Sequence, residues 1–284
     1  MKNRTLYISD LDGTLLGTDS LISERSAQII SELSQQGALI TVATARTPAT
    51  VVPLLADTIT TPPAIVMTGC AWWNRREARL SNLHFIPGAD VAAALEMCRD
   101  YGVAPFVYVL SEDGATLDVY HESKSLNIAE EQFYNERTNL PLKRFHLGTP
   151  PPRRAFEYSI LFYAMGESED ITQAAEAFRE KTECTVCTYP DIFNPQFFNF
   201  EIFPPGMTKA TAVRELKKQM QAERLVVFGD NLNDLTMFAE ADLAVAVGNA
   251  LPEVKNAADV VIEPNYTDAV ARFIAEDFKK ILSK

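Results

Sequence analysis

Five short apolar runs constrain this chain most. Residues 6–9 stop at Asp10, residues 39–43 at Thr44, residues 64–67 at Thr68-Gly69, residues 225–228 at Gly229-Asp230, and residues 243–247 at Gly248-Asn249. Near-continuous apolar runs of this length read as parallel strands buried on both faces. Helical signals lie between them. Ser23 is placed to cap a helix with apolar positions at Ala27, Ile30 and Leu33, and Gly37 ends it. Thr47-Pro48 sets a cap before a first-turn proline. Thr267 opens a last helix carrying Val270, Phe273, Ile274, Phe278 and Ile281. Strands alternating with helices predict an α/β fold with a doubly wound parallel sheet.

The middle of the chain breaks this rhythm. Strand candidates at 104–110, 116–120 and 158–164 are amphipathic or edge-like, and helical candidates span 89–99 and 171–181. A joint rich in proline, Thr149-Pro150-Pro151-Pro152, lies among them. A length of 284 residues is long for one core and suits two domains of ~100–200 residues each. The expected organisation is a core in two halves, 1–84 and 191–284, with an α+β domain inserted at 85–190.

Charge and composition exclude several function classes. The net charge of −12 argues against broad nucleic-acid binding, which needs a basic face. It leaves room for an anionic substrate, because a few cations can dominate one pocket. No apolar stretch reaches membrane-spanning length, and the first dozen residues hold no leader-like run. Four cysteines do not make a disulfide framework, so reduced thiols in a cytoplasm are expected. Cys184-Thr185-Val186-Cys187 lacks a second ligand pair, since His84, His121 and His146 stand singly; an ordinary strand is the expectation there.

In a doubly wound sheet, ligands bind outside the carboxyl ends of the strands. Asp10, Thr44, Asp230 and Asn249 all follow strand ends. Asp10 and Asp12 put two carboxylates in one turn, where one could attack a phosphorus atom and the other handle the leaving-group proton. Gly13 allows a tight backbone path beside a ligand. The run Gly229-Asp230-Asn231-Leu232-Asn233-Asp234 offers acids and amides to a hard, oxygen-preferring cation, magnesium or calcium, without the spacing of an EF-hand. Lys209 begins a helix, where a cation opposes the helix dipole by up to ~1 kcal/mol. Its replacement is expected to spare stability and to lower turnover.

Taken in order, these segments resemble the four motifs of the haloacid dehalogenase superfamily, and specifically its Cof-like phosphatases with a large inserted cap. The residues that carry the likeness are Asp-x-Asp-Gly-Thr at 10–14, Thr44 before Arg46, Lys209, and Gly-Asp-x-x-Asn-Asp at 229–234, joined by a stretch from Val247 to Asp259. The resemblance implies that Asp10 is the nucleophile and a Mg²⁺ ligand. Asp12 would be general acid and then base, with its backbone carbonyl on the metal. Thr44, Lys209 and Asn233 would bind the phosphoryl group, Asp230 would be the third metal carboxylate, and Asp234 would support the site. The implied reaction is hydrolysis of a small phosphorylated metabolite, a sugar phosphate before a nucleotide or cofactor phosphate. A phosphomutase and a non-catalytic phospho-metabolite sensor are the alternatives. Three positions depart from the family pattern: Ala45 and Ala269 stand where glycine is frequent, and Thr68 stands where asparagine often precedes Gly69. Trp72-Trp73 is expected to make an apolar contact at the domain joint, with stacking on a sugar or ring as the alternative, Arg75-Arg76 reads as a solvated charge pair, and Tyr189, Asp191 and Asn194 are candidates to face the cleft. Nothing in the sequence indicates an oligomeric state.

Overall fold

The structure is a computed structural model describing residues 4–191, 194 and 196–283. By their contacts these residues form two compact units. One comprises the segments up to Ser81 and from Thr208 onward; the other is Asn82–Met207.

The first unit begins with β1 (Thr5–Ser9), buried at every position. Helix α1 (Glu24–Gln35) follows, capped by Ser23, whose hydroxyl accepts from Ser26 N. Then come β2 (Leu39–Val42) and α2 (Pro48–Leu54), the latter opened by its proline. The third apolar run behaves differently from a central parallel strand. β3 (Ala64–Val66) meets β2 only through a parallel bridge between Ala43 and Ile65. It then pairs antiparallel with β4 (Ala71–Asn74), which pairs with β5 (Arg79–Ser81). The reversal is made by three successive residues with positive φ, Met67 (51°), Thr68 (57°) and Gly69 (104°). Trp72 and Trp73 are buried in β4, so they serve the core.

The second unit holds a six-stranded sheet with order β10-β11-β9-β6-β7-β8. Its strands are β6 (Phe106–Leu110), β7 (Leu117–His121), β8 (Lys143–Leu147), β9 (Ser159–Glu167), β10 (Cys184–Pro190) and β11 (Phe197–Pro205). Its helices are α3 (Gly88–Asp100), α4 (Ile128–Arg137), α5 (Ala155–Tyr158) and α6 (Ser168–Arg179). Val91, Ala94 and Met97 of α3 and Ile171, Ala174 and Phe178 of α6 bury one face of the sheet against Val107, Val109, Phe162, Phe200 and Ile202. β11 lies between β10 and β9, so residues 197–205, grouped by sequence with the core, pair in this sheet. Cys184 packs in the core on the helix side, whereas Cys187 sits opposite Glu201. Burial pushes both thiols up. This is the ordinary strand that the lone pair of cysteines suggested.

The chain re-enters the first unit with α7 (Lys209–Gln219), β12 (Arg224–Gly229), α8 (Leu235–Phe238), β13 (Leu243–Ala246), α9 (Pro252–Ala257), β14 (Val260–Val261) and α10 (Ala269–Leu282). The parallel sheet has the order β14-β13-β12-β1-β2. Ser9 lies level with Phe228 on one side and Val42 on the other, so three strands end together. Helix α10 starts two residues after Thr267, because Asp268 takes a left-handed conformation with φ 58° and accepts from Ser23 and Ser26. Among the described residues, no helix is long and apolar enough to cross a membrane.

Candidate active site

The adjacent ends of β12, β1 and β2 place Asp230, Asp10 and Thr44 side by side in the sheet order. Asp10 N donates to Phe228 O at 3.0 Å, which ties the start of its loop to β12. The loop then turns through Asp12 and Gly13, where φ reaches 75°. A Cβ on Gly13 would lie 2.4 Å from Asp230 Oδ2, so glycine is required by both conformation and space. Asn249 donates to Gly13 O at 2.7 Å, and Asn265 donates to Leu16 O at 2.7 Å. Asn265 N in turn donates to Asn249 Oδ1 at 2.9 Å, so two loops from the far end of the chain hold the Asp12 turn.

Lys209 is the hub. Its Nζ lies 2.6 Å from Asp10 Oδ1 and 2.9 Å from Asp234 Oδ1. The three side chains are 3%, 9% and 0% exposed, so this is a buried network. The expectation that Lys209 could be replaced without loss of stability therefore changes: the two carboxylates outweigh the opposing helix dipole. Burial pulls Lys209 down, but Asp10 and Asp234 overcome it and hold the ammonium above its usual value. Asp234 Oδ2 accepts from Asp230 N at 3.0 Å and Asn231 N at 3.1 Å. One of its oxygens thus shapes the turn after β12 while the other holds Lys209.

Burial also pushes Asp10 up to about 7 against the pull of Lys209, with Asp234 and Asp230 adding to the rise. Asp230 is raised too, chiefly by burial, although Thr14 donates to its Oδ1 at 2.7 Å. Carboxylate oxygens of Asp10, Asp230 and Asp234 lie within 4.8 Å of one another. One lysine bonds two of these three carboxylates and no cation bonds Asp230 among the described residues, which leaves an excess of negative charge. An oxygen-preferring divalent cation fits such a donor set and would balance it.

Asp12 stands apart from this cluster. Its carboxylate is half exposed and meets Arg46 through Nε–Oδ2 at 2.8 Å and Nη2–Oδ1 at 2.6 Å. That bond raises Arg46 above its ordinary value. Thr44 is buried; its Oγ1 accepts from Arg46 N at 3.1 Å, and its carbonyl accepts from Thr68 N at 3.0 Å. Met67 N donates to Arg46 O at 3.0 Å, so the left-handed turn after β3 clamps the loop after β2. Asn233 is exposed, and its side chain bonds none of these residues. The structure thus joins Asp10, Lys209, Asp230 and Asp234 in one network and pairs Asp12 with Arg46. Sequence reasoning named Arg46 only as a neighbour and passed over Thr14 and Asn265. No local pattern marks them, because their partners lie 34, 216 and 249 positions away.

Comparison with known proteins agrees with this architecture. A Bacillus subtilis 5-amino-6-(5-phospho-D-ribitylamino)uracil phosphatase is 27% identical over 278 residues, spanning 96% of this chain and 97% of that protein. A phosphoglycolate phosphatase of Sulfurisphaera tokodaii is 25% identical over 179 residues, covering 61% of this chain and 69% of that one. A Thermotoga maritima protein of known structure superposes with a TM-score of 0.76 at 25% identity, over 97% of each chain. The sequence pattern of one family, the haloacid dehalogenase-like hydrolases, matches from residue 7 to residue 274. That span runs from β1 into α10, and the chain belongs to this family of hydrolases.

Proposed function

We propose that the chain is a Mg²⁺-dependent phosphatase that hydrolyses a small phosphorylated metabolite, a sugar phosphate first among candidates, through an aspartyl-phosphate on Asp10. The observation that carries this reading is the bridge from Lys209 to Asp10 beside Asp230. It holds one Asp10 oxygen and leaves the other to attack. Relatives named for phosphorylated small molecules support the substrate class.

Asp10 Oδ2 attacks phosphorus and the ester P–O bond breaks. Asp12 gives its proton to the departing oxygen, then takes one from the water that attacks the aspartyl-phosphate, which releases phosphate and restores Asp10. Lys209 offsets the charge between Asp10 and the phosphoryl oxygens. The Thr44 hydroxyl, which accepts from Arg46 N, keeps its own proton to donate to a phosphoryl oxygen. Asn233 offers an exposed amide to the same group. Mg²⁺, with Asp10, Asp230 and the Asp12 carbonyl as its protein ligands, would supply the positive charge that lets a phosphate dianion approach a carboxylate. The inserted second unit acts as a cap that selects the leaving group.

The test is a panel of phosphorylated metabolites assayed for phosphate release, with and without EDTA, for the native chain and Asp10→Asn. Metal-dependent release by the native chain and none by the variant is expected. Equal turnover by Asp10→Asn would overturn the mechanism.

A further inference from the structure

His121, the last residue of β7, is completely buried, and its two ring nitrogens have different surroundings. Nδ1 lies 2.8 Å from the Ser123 carbonyl oxygen. A carbonyl can only accept, so Nδ1 carries a proton and donates it there. Nε2 is buried with no hydrogen-bond partner among the described residues. Glu130 Oε1 faces it at 3.7 Å, too far for a hydrogen bond. The Phe106 ring packs on the imidazole with centroids 4.5 Å apart, which limits its freedom to turn.

Glu130 is held in place by the start of α4. It is 4% exposed, and its Oε2 accepts from Asn127 N at 2.8 Å while Asn127 Oδ1 accepts from Glu130 N at 2.9 Å. Asn127 Nδ2 donates to Met165 O of β9 at 2.9 Å. This reciprocal cap fixes the carboxylate, with Oε1 as the oxygen nearer His121. Glu130 also lines a cavity of about 620 Å³ in the second unit, with Ala104, Ser123, Glu167 and Asp170 among the other lining residues. No lysine, arginine or histidine lines it among the described residues, so its walls favour a cation.

We propose that His121 Nε2 and Glu130 Oε1 hold a divalent transition-metal ion of the zinc type, which ties the end of β7 to the start of α4. A metal-bound histidine has this arrangement: one ring nitrogen donates to a carbonyl, and the lone pair of the other is thereby turned on the ion. Bonds of about 2.0–2.2 Å to nitrogen and carboxylate oxygen place adjacent tetrahedral ligands roughly 3.3–3.6 Å apart. The 3.7 Å between Nε2 and Oε1 is therefore close to a bridging span. An imidazole ligand selects zinc over magnesium, which prefers oxygen alone. No third histidine, cysteine, aspartate or glutamate joins the pair among the described residues, so water from the cavity completes the coordination and the ion is exchangeable. Burial lowers the basicity of His121, but Glu130 and the Ser123 carbonyl outweigh it and raise the ring above its ordinary value. A proton and the metal therefore compete for Nε2.

The test reads the ring itself and needs no turnover. Long-range ¹H–¹⁵N spectra of the full chain are recorded at mildly alkaline pH while Zn²⁺ is added, with excess Mg²⁺ present for the Asp10 cluster. The chain has three histidines, His84, His121 and His146, so single His→Gln variants assign the signals. His121 Nε2 is expected to lack a proton and to shift saturably with Zn²⁺. Calorimetric titration of Zn²⁺ under the same conditions is expected to show one binding event that weakens about tenfold or more in Glu130→Gln. That variant keeps an oxygen for Asn127 N, so the cap of α4 survives. A His121 ring protonated on both nitrogens and indifferent to Zn²⁺ would reveal an ordinary buried imidazolium–carboxylate pair and overturn the site. Equal Zn²⁺ affinity in Glu130→Gln and the native chain would overturn it too. If His121→Gln does not fold, the His84→Gln and His146→Gln spectra assign His121 by elimination and Glu130→Gln decides.

Discussion

Arg46 grips Asp12 with two parallel hydrogen bonds, at 2.8 and 2.6 Å, so both oxygens of the proposed proton donor are held by one guanidinium. Such a forked pair is directional, and a lysine cannot reproduce it. In the proposed reaction Asp12 turns to the leaving group as the phosphoryl anion draws on Arg46. Arg46 and Asp12 then act as one element. Asp12→Asn should lower turnover of alkyl phosphates by roughly 10²–10⁴-fold. Arg46→Met should cost about tenfold in the native background and much less in Asp12→Asn, since coupled residues are not additive. A double-mutant cycle on kcat/KM measures this, and strict additivity would refute the coupling.

Lys209→Met should destabilise the metal-free protein, against the expectation from its place at a helix start. Removing the ammonium leaves Asp10 and Asp234 buried and uncompensated. Breaking a buried pair in this way costs about 3–5 kcal/mol. Adding Asp10→Asn to Lys209→Met should recover part of the loss. Urea denaturation of both variants checks it; a midpoint for Lys209→Met equal to that of the native chain would show that the network carries no stability.

The turn after β3 stores strain. Thr68 is β-branched yet adopts φ 57° and ψ 20°. That conformation costs a non-glycine residue about 1–2 kcal/mol, and asparagine tolerates it better. Thr68→Asn should therefore raise stability by about 0.5–1 kcal/mol, read as a higher denaturation midpoint at an unchanged m-value. A lower midpoint would mean that the threonine side chain contributes more than its backbone costs.

Lys143 makes stability depend on pH. Burial, with Arg137 nearby, lowers it from 10.5 to about 7. Between those values the unfolded chain holds a proton on Lys143 that the folded chain has released, so the Lys143 contribution to stability rises with pH across this window. The cost is full below about 7 and gone above about 10.5. Glu201, raised to about 7, exerts its full penalty through that window, and the raised Cys98 and Cys184 thiols, which lower stability above about pH 9, act alike in both proteins and cancel in the comparison. At about 1.4 kcal/mol per pH unit, Lys143→Met should stabilise by about 3–5 kcal/mol at pH 6 and by little at pH 10. Denaturation curves at the two pH values decide it. An equal gain at both would assign the effect to packing alone.

Much of the first unit was legible because its signals are local. Apolar runs ending in Asp10, Thr44 and Asp230 mark buried strands and the loops after them. Ser23 and Pro48 mark helix starts through hydrogen bonds and dihedral preferences within a few residues. The third run misled for the same reason: buried apolar side chains do not reveal which backbone pairs with them, and the antiparallel return of β4 depends on the turn at 67–69.

In the second unit, β11 could not be assigned from its own residues. Its place between β10 and β9 comes from pairings with residues 8 to 40 positions away. What the sequence by itself determined was the alternation of strands and helices, and the chemistry at the strand ends: carboxylates at 10, 12, 230 and 234 and a cation at 209. The tertiary structure alone decided how those charges are shared. Register sets Asp10 beside β12, the close-packed interior buries Lys209 between two carboxylates, and the turn at 67–69 holds the Arg46 loop in place. Hydrogen bonds and ion pairs act over a few ångströms in space, whatever the distance along the chain, so only folding brings such partners together.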